Sequence, residues 1–188
     1  MGYKSLLGGI ALAGFVALPV SAQNLPSAPP TTYVPATNAT MTGQRFVDKA
    51  ATGGEYEIRA AKIAERRSHN PRIDRFAQRM IHDHGRNDAQ LKAVAAKIGG
   101  LSVPVHLDAK HRGMIQQLEA VGRNQFDTLY AEQQVRAHQN AIALFASYQH
   151  NGELPRLRHF AADTLPMLHT HLALARALPV GPQVARNR

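Results

Sequence analysis

Apolar residues recur at helical spacing along almost the whole chain between Thr42 and Leu178. This periodicity indicates amphipathic helices that each bury one face. Residues that favour helix starts or helix ends, such as Asn70-Pro71 and Gly99-Gly100, divide the region into five segments. With their caps, we predict helices at 42–67, 70–100, 108–121, 124–150 and 155–178. No stretch combines a sustained period-two alternation of apolar and polar residues with β-branched residues, so no sheet is predicted.

Four of these segments are long, at roughly 25 residues or about 36 Å each. Four helices of similar length with short connections favour an all-α fold, an up-and-down four-helix bundle. The shorter segment at 108–121 is predicted as an accessory helix. The bundle would occupy 42–178, about 137 residues, which is enough to bury a hydrophobic core.

The first 22 residues have the features of a secretory signal peptide. They contain a single Lys4, an apolar run at 6–18, and the small residues Val20 and Ala22 at the expected cleavage site. The run is too short for a membrane span, and no later stretch approaches ~20 uninterrupted apolar residues. We therefore expect a periplasmic or secreted protein whose mature chain has no transmembrane span.

Two segments outside the bundle lack an apolar period. Residues 23–41 are rich in Pro, Thr and Ala and almost uncharged, which is typical of a disordered linker. Residues 179–188 are similar and are predicted to form a flexible tail. Neither segment is expected to contribute to the core.

Charge and cysteine content restrict the classes of partner and site. The formal net charge is +9, which favours contact with an anionic envelope surface. The alternative interpretation is that the positive charge only provides solubility. Nucleic-acid binding is not expected, because the basic residues are spread and Arg66-Arg67 is their longest run. The absence of cysteine excludes disulfides, thiolate zinc sites and cysteine catalysis.

Each long helix carries one polar, metal-capable residue on its apolar stripe near mid-length. These residues are Glu57, His84, His138 and His171. Leaving four buried polar groups unpaired would cost about 4–12 kcal/mol, against a total stability of only about 5–15 kcal/mol. They must therefore bond to one another and to trapped water, or bind a ligand.

Two interpretations follow from these four residues. Three imidazoles and a carboxylate suit Zn, Cu, Fe or Mn better than Ca or Mg. The alternative is a satisfied polar layer without metal, in a non-catalytic envelope interaction or stress-related structural protein. Met80 and Met167 each lie four residues before an inward histidine, so they are either extra soft ligands or core filling. Asp83, next to the stripe, is a candidate acceptor for an imidazole N–H.

The order of these motifs resembles the bacterial family DUF4142. The resemblance rests on Gly53-Gly54 before Glu57, Asp83-His84, Tyr130 before His138, and Thr164-Leu165-Pro166 before His171. It implies a secreted ferritin-like bundle but carries no settled activity. Members commonly show an Asp-His pair in the third long helix, where this chain has Ala137-His138.

An enzyme is not expected. The di-iron ferritin pattern requires a Glu three residues before a His on two helices, whereas the corresponding residues here are Ile81 and Leu168. The sequence also shows no nucleophile–base pair and no Gly-rich phosphate loop. A mononuclear metal site therefore fits the residues better than ferroxidase or oxygenase chemistry.

We expect export to remove residues 1–22, so that the mature protein begins at Gln23. Intact-mass measurement of the exported protein checks this expectation. A mass that still includes the leader would indicate a retained membrane anchor instead.

Overall fold

The structure, a computed structural model, describes residues 40–179. The predicted signal peptide, nearly all of the predicted linker and the tail beyond position 179 lie outside this region. Within it, five helices follow one another: α1 Gly43–Arg67, α2 Pro71–Ile98, α3 Ala109–Ala120, α4 Arg123–Asn151 and α5 Pro155–Arg176. No strand occurs among residues 40–179.

Short polar side chains fix where three of the helices begin. The hydroxyl of Thr42 accepts a hydrogen bond from the backbone N–H of Arg45 at 3.3 Å. The side chain of Asn70 accepts from Arg72 at 2.9 Å, and Asp108 accepts from His111 at 2.8 Å. Each bond satisfies a backbone donor that the first helical turn leaves unpaired.

The four long helices form an antiparallel bundle in which α1 and α5 each pack against both α2 and α4. The connection from α2 to α4 crosses the length of the bundle. At the start of α1, the Gln44 side chain exchanges two hydrogen bonds with the backbone of Ser102, at 2.7 and 2.9 Å. At the end of α1, Arg67 donates to the carbonyls of Glu119 and Val121 after α3 has run beside α1. The predicted all-α four-helix bundle with an accessory helix is confirmed.

The apolar core is divided into two clusters along the bundle axis. One contains Tyr56, Phe76, Met80, Phe126 and Tyr130, near the end of the bundle where α1 stops. The other is centred on a stack of aromatic rings near the opposite end, and its members include Phe46, Leu91, Phe145, Tyr148, Phe160 and Leu168. Each of the four long helices contributes residues to both clusters, and buried polar residues lie between these two sets in its sequence.

Among the helices of residues 40–179, none combines the length and apolarity required to cross a membrane. At the first residues of this region, the carbonyl of Met41 accepts the N–H of Glu153 at 3.3 Å. The side chain of Met41 also packs on the aromatic cluster. Met41, the last residue of the predicted linker, therefore packs on the core, contrary to the prediction that the linker makes no contribution to it.

We expect Gly152→Ala to lower the free energy of unfolding by about 1–3 kcal/mol. A Cβ at this position would lie 2.5 Å from the backbone oxygen of Tyr148, which also accepts the Gly152 N–H. Urea denaturation followed by circular dichroism measures the change. Gly113→Ala in α3 is the matched control, because its Cβ would meet no described atom within 4 Å. That control should be stabilising by about 0.5–1 kcal/mol, and equal effects of the two substitutions would contradict the steric argument.

Candidate metal centre

Three histidines from three different helices meet in the middle of the bundle. His84 of α2 is 4% exposed, and His138 of α4 and His171 of α5 are each 1% exposed. Their ring centroids are 5.3–5.7 Å apart. One nitrogen from each ring lies within 4.8 Å of the other two. The cluster is therefore compact, and it is shielded from solvent.

Hydrogen bonds on the outer side of two rings determine which nitrogens remain free. Nδ1 of His138 lies 2.8 Å from the carbonyl oxygen of Gln134. A carbonyl can only accept, so Nδ1 carries the proton and Nε2 keeps its lone pair. Nε2 of His171 similarly donates to Oδ2 of Asp83 at 3.0 Å, which leaves Nδ1 with a lone pair. Such outer bonds are typical of histidines that bind metal ions.

Each of the three rings thus has a nitrogen without a hydrogen-bond partner in the described part of the chain. These atoms are Nε2 of His84, Nε2 of His138 and Nδ1 of His171. An unpaired buried polar atom costs about 1–3 kcal/mol. The three histidines are therefore the natural candidates for a shared ligand.

Burial keeps the three imidazoles uncharged. It lowers the pKa of His138 to about 4. It also lowers the pKa of His84 well below its usual value, and the two neighbouring histidines add to that effect. For His171, burial lowers the pKa, although Asp83 opposes the shift. Neutral imidazole is the form that binds a metal ion, so protons do not compete at neutral pH.

Asp83 connects the cluster to the surface. Its Oδ2 accepts from His171, and its Oδ1 lies 2.8 Å from Nδ1 of His82, whose side chain is exposed. Burial, which would raise the pKa of Asp83, is outweighed by these hydrogen bonds, so the pKa is lowered. The cluster is therefore bordered by one ionised carboxylate on the side of His171.

Glu57, the fourth predicted residue, lies beside the cluster on α1. It is 4% exposed, and its Oε1 is 3.8 Å from Nδ1 of His138, the nitrogen that already bonds to Gln134. Burial raises the pKa of Glu57 to about 8, so the carboxyl group is protonated at neutral pH. Its Oε2 has no hydrogen-bond partner among residues 40–179. The structure thus brings three predicted residues together and places Glu57 on the outer side of one of them.

The two methionines considered as extra ligands differ in their surroundings. Met80 is fully buried in the same cluster as Phe76 and Tyr130. Met167 is partly buried against the other cluster, and it lines a small groove with Asp83.

Gln134 and Tyr130, neither of which was predicted as a site residue, extend the polar layer next to Glu57. Gln134 is fully buried, and both atoms of its side-chain amide lack a hydrogen-bond partner within the described region. The Tyr130 hydroxyl also lacks a hydrogen-bond partner within the described region, and burial raises its pKa well above the usual value. The available signal was an amide on the apolar stripe of α4, one turn before His138.

A groove of about 700 Å³ connects the surface to this interior region. Its walls come from α1 and α4, with residues of α3 at its rim, and Gly53 and Ala137 lie on opposite walls. The lining also includes Glu57 and His84, which are buried. The interior cluster is therefore approached by open space from the α1–α4 side.

The sequence profile of the family described as "Domain of unknown function (DUF4142)" matches residues 28–178. The fold is similar to the structure of CopM in the Cu(II)-bound form, with a TM-score of 0.61 and 19% identity over 73% of this chain and 95% of that chain. CopM in the Cu(I)-bound form gives 0.60 and 16%, over 73% and 94% of the two chains. CopM in the Ag-bound form, obtained by co-crystallization, gives 0.60 and 19% over the same shares. At these identities the likeness shows a common fold. A comparison with curated protein sequences found no match.

We expect the metal-free protein to lose stability on acidification. Because folding lowers the pKa of His84, His138 and His171, the unfolded state binds more protons as the pH falls. Their contribution is complete above about pH 6.5 and is lost toward pH 4, with His138 alone accounting for about 3 kcal/mol. Glu57 acts in the opposite sense, because its raised pKa removes stability as the pH rises through 4.5 to about 8.

Urea denaturation of metal-free protein at several pH values from about 7 down to about 4.5 measures this dependence. His138→Gln should flatten the profile, whereas His150→Gln at the exposed end of α4 should leave it unchanged. Because Glu57 offsets part of the loss in both proteins, the difference between the wild-type and His138→Gln profiles is the decisive quantity, and identical profiles would contradict the burial of a neutral His138.

Proposed function

This chain belongs to the DUF4142 family, and we propose that its bundle binds a monovalent soft metal ion, copper(I) or silver(I). The ligands would be His84, His138 and His171. The observation that carries the proposal is the set of three buried, neutral imidazoles, each with one nitrogen that lacks a hydrogen-bond partner among residues 40–179. Three such atoms cost about 3–9 kcal/mol when unpaired, and an ion bound by all three would remove that cost.

The charges around the cluster favour a single positive charge over two. The cost of transferring an ion into a low-dielectric interior rises with the square of its charge, and it is already large for a monovalent ion. Asp83 supplies one negative charge next to His171, while Glu57 is protonated at neutral pH. A monovalent ion is therefore balanced by Asp83 alone, whereas balancing a divalent ion would also require Glu57 to lose its proton.

The chemistry of the ligands and the fold comparison support copper or silver as the metal, without distinguishing the charge of the ion. Imidazole nitrogen is a suitable ligand for copper, and the site offers no thiolate because the chain has no cysteine. The structures of similar fold are those of CopM with Cu(II), Cu(I) or Ag bound. With the predicted signal peptide, this function would operate in the periplasm or outside the cell.

Metal binding would require a small inward movement of the rings. Nitrogen ligands about 2.0–2.1 Å from one ion are separated by about 3.5 Å, whereas the present separation reaches 4.8 Å. The outer bonds to Gln134 and Asp83 fix which nitrogen faces inward while the rings close. Binding should therefore tighten the middle of the bundle.

The alternative function is a structural polar layer that sets the register of the helices. One observation favours it: the hydroxyl of Thr164 on α5 donates to Oδ1 of Asn87 on α2 at 3.0 Å, so part of the layer is satisfied without metal. Buried polar residues can specify register in this way. This function requires no metal ion and would explain the same burial pattern.

We expect Ag(I), or Cu(I) under anaerobic conditions, to raise the melting temperature of the metal-free protein. An ion bound only by the folded state stabilises it by about 2.7 kcal/mol at 100 times its dissociation constant. Zn(II) should give a smaller shift, because its second charge is balanced only if Glu57 loses its proton. Differential scanning calorimetry at matched metal concentrations measures these shifts.

His138→Ala should abolish the metal-induced shift, even though the variant itself melts at a lower temperature. His150→Ala is the control, because His150 is exposed at the end of α4, far along the helix from His138. If Ag(I), Cu(I) and Zn(II) all leave the wild-type melting temperature unchanged, the structural polar layer is the correct function.

A further inference from the structure

We infer that a metal ion reaches the three histidines through the groove between α1 and α4, and that Glu57 is the ligand it meets at the inner end. This inference rests on the proposed metal binding. It assigns Glu57 a transient role during uptake and release, distinct from that of the three histidines that hold the ion.

The groove is the first part of the argument. Its volume of about 700 Å³ is large enough for a hydrated ion and for several further water molecules. Gly53 on α1 and Ala137 and Ala141 on α4 are small residues on its walls, so the passage is not closed by large side chains there. His84 and Glu57 both line it, and His84 is itself one of the three clustered histidines.

The position of Glu57 is the second part. A cation that leaves the wide part of the groove must give up water molecules, and a carboxylate ligand lowers the cost of that step. Because the Glu57 carboxyl group carries a proton before the ion arrives, that proton passes to solvent in the groove as the carboxylate binds the cation. Oε2 of Glu57 is buried and has no hydrogen-bond partner among the described residues, while Oε1 lies 3.8 Å from Nδ1 of His138. Glu57 approaches His138 at Nδ1, whereas Nε2 is the nitrogen without a partner in the described region. Glu57 therefore lies next to the cluster, at the Nδ1 edge of the His138 ring.

The opposite side of the cluster is closed by hydrogen bonds. A smaller groove of about 230 Å³ lies along α2 and α5, where it is lined by Asp83, Arg86, Asn87, Gln90 and Met167. Both oxygens of Asp83 are engaged there, one with His82 and the other with His171. Passage by this route would require those bonds to break, and it would bring the cation past the guanidinium of Arg86. Guanidinium groups, those of Arg45 and Arg136, also line the α1–α4 groove, but its lining reaches His84 itself, which the lining of the α2–α5 groove does not.

A leucine at position 53 tests the route without straining the fold. A Cβ added to Gly53 meets no heavy atom of the described region within 4 Å, so the side chain of Gly53→Leu would project into open groove. Gly113→Leu is the matched control, because its Cβ is equally unobstructed and Gly113 does not line the groove. To measure release, Cu(I)-loaded protein is mixed with excess bathocuproine disulfonate, and the rate at which the coloured chelate forms gives the release rate. To measure uptake, metal-free protein is mixed with a weak Cu(I) complex, and the rate of Cu(I) transfer to the protein gives the uptake rate.

We expect Gly53→Leu to slow uptake and release equally, by about tenfold each, which corresponds to a barrier about 1.4 kcal/mol higher. The dissociation constant should stay at the wild-type value, because both directions cross the same barrier. Glu57→Gln should likewise slow both rates while retaining affinity, since the amide is a weaker ligand of similar size. Gly113→Leu should exchange Cu(I) at the wild-type rate.

Wild-type rates in both Gly53→Leu and Glu57→Gln would overturn the inference. Slower exchange in Gln90→Leu but not in Gly53→Leu would also overturn it, because Gln90 lines the α2–α5 groove. A loss of affinity in Glu57→Gln as large as that in His138→Ala would make Glu57 a permanent ligand instead. If the wild-type protein binds no Cu(I), the proposed function fails together with the route, whereas normal binding with unaffected rates removes the route alone.

Discussion

The burial of uncharged imidazole in an apolar bundle is the constraint on which the rest of the structure depends. Three rings must lose their hydration without gaining a full set of protein partners, and the fold supplies only an outer bond to two of them. The carbonyl of Gln134 and the carboxylate of Asp83 each take one N–H, which fixes the tautomer of the ring. What remains is a set of lone pairs in the interior, and their chemistry is that of a metal ligand set.

Electrostatics then distinguishes the two carboxyl groups that border the cluster. Asp83 is held ionised by hydrogen bonds from two histidines, whereas at Glu57 burial outweighs the opposing effect of the Gln134 side chain and the carboxyl group keeps its proton. The two carboxyl groups therefore provide a fixed negative charge on the α2–α5 side of the cluster and a neutral group on the α1 side. The net charge that the interior accepts is set by this asymmetry more than by the histidines themselves.

Local features made the helices predictable, and long-range features did not. Thr42, Asn70 and Asp108 act within one turn, so the predicted helix starts agree with the structure to within a residue or so. The stripe positions of His84 and His138 placed them inward, because helical register fixes which face a residue occupies. Register does not fix which edge of an imidazole a neighbour approaches, so the outer position of Glu57 could not be foreseen. The bond from Asp83 to His171 joins residues 88 positions apart, and no sequence pattern specifies it.

The separation of the core into two apolar clusters has a consequence for cooperativity. In most bundles the helix midpoints have the densest apolar packing and exchange their amide hydrogens most slowly. Here the aromatic stack of Phe46, Phe145 and Tyr148 and the cluster around Phe76 and Phe126 lie toward opposite ends, with imidazoles and amides between them. The metal-free protein is therefore two hydrophobic halves joined by continuous helices, with its weakest cohesion at the centre. An ion bound there would join the halves into a single cooperative unit.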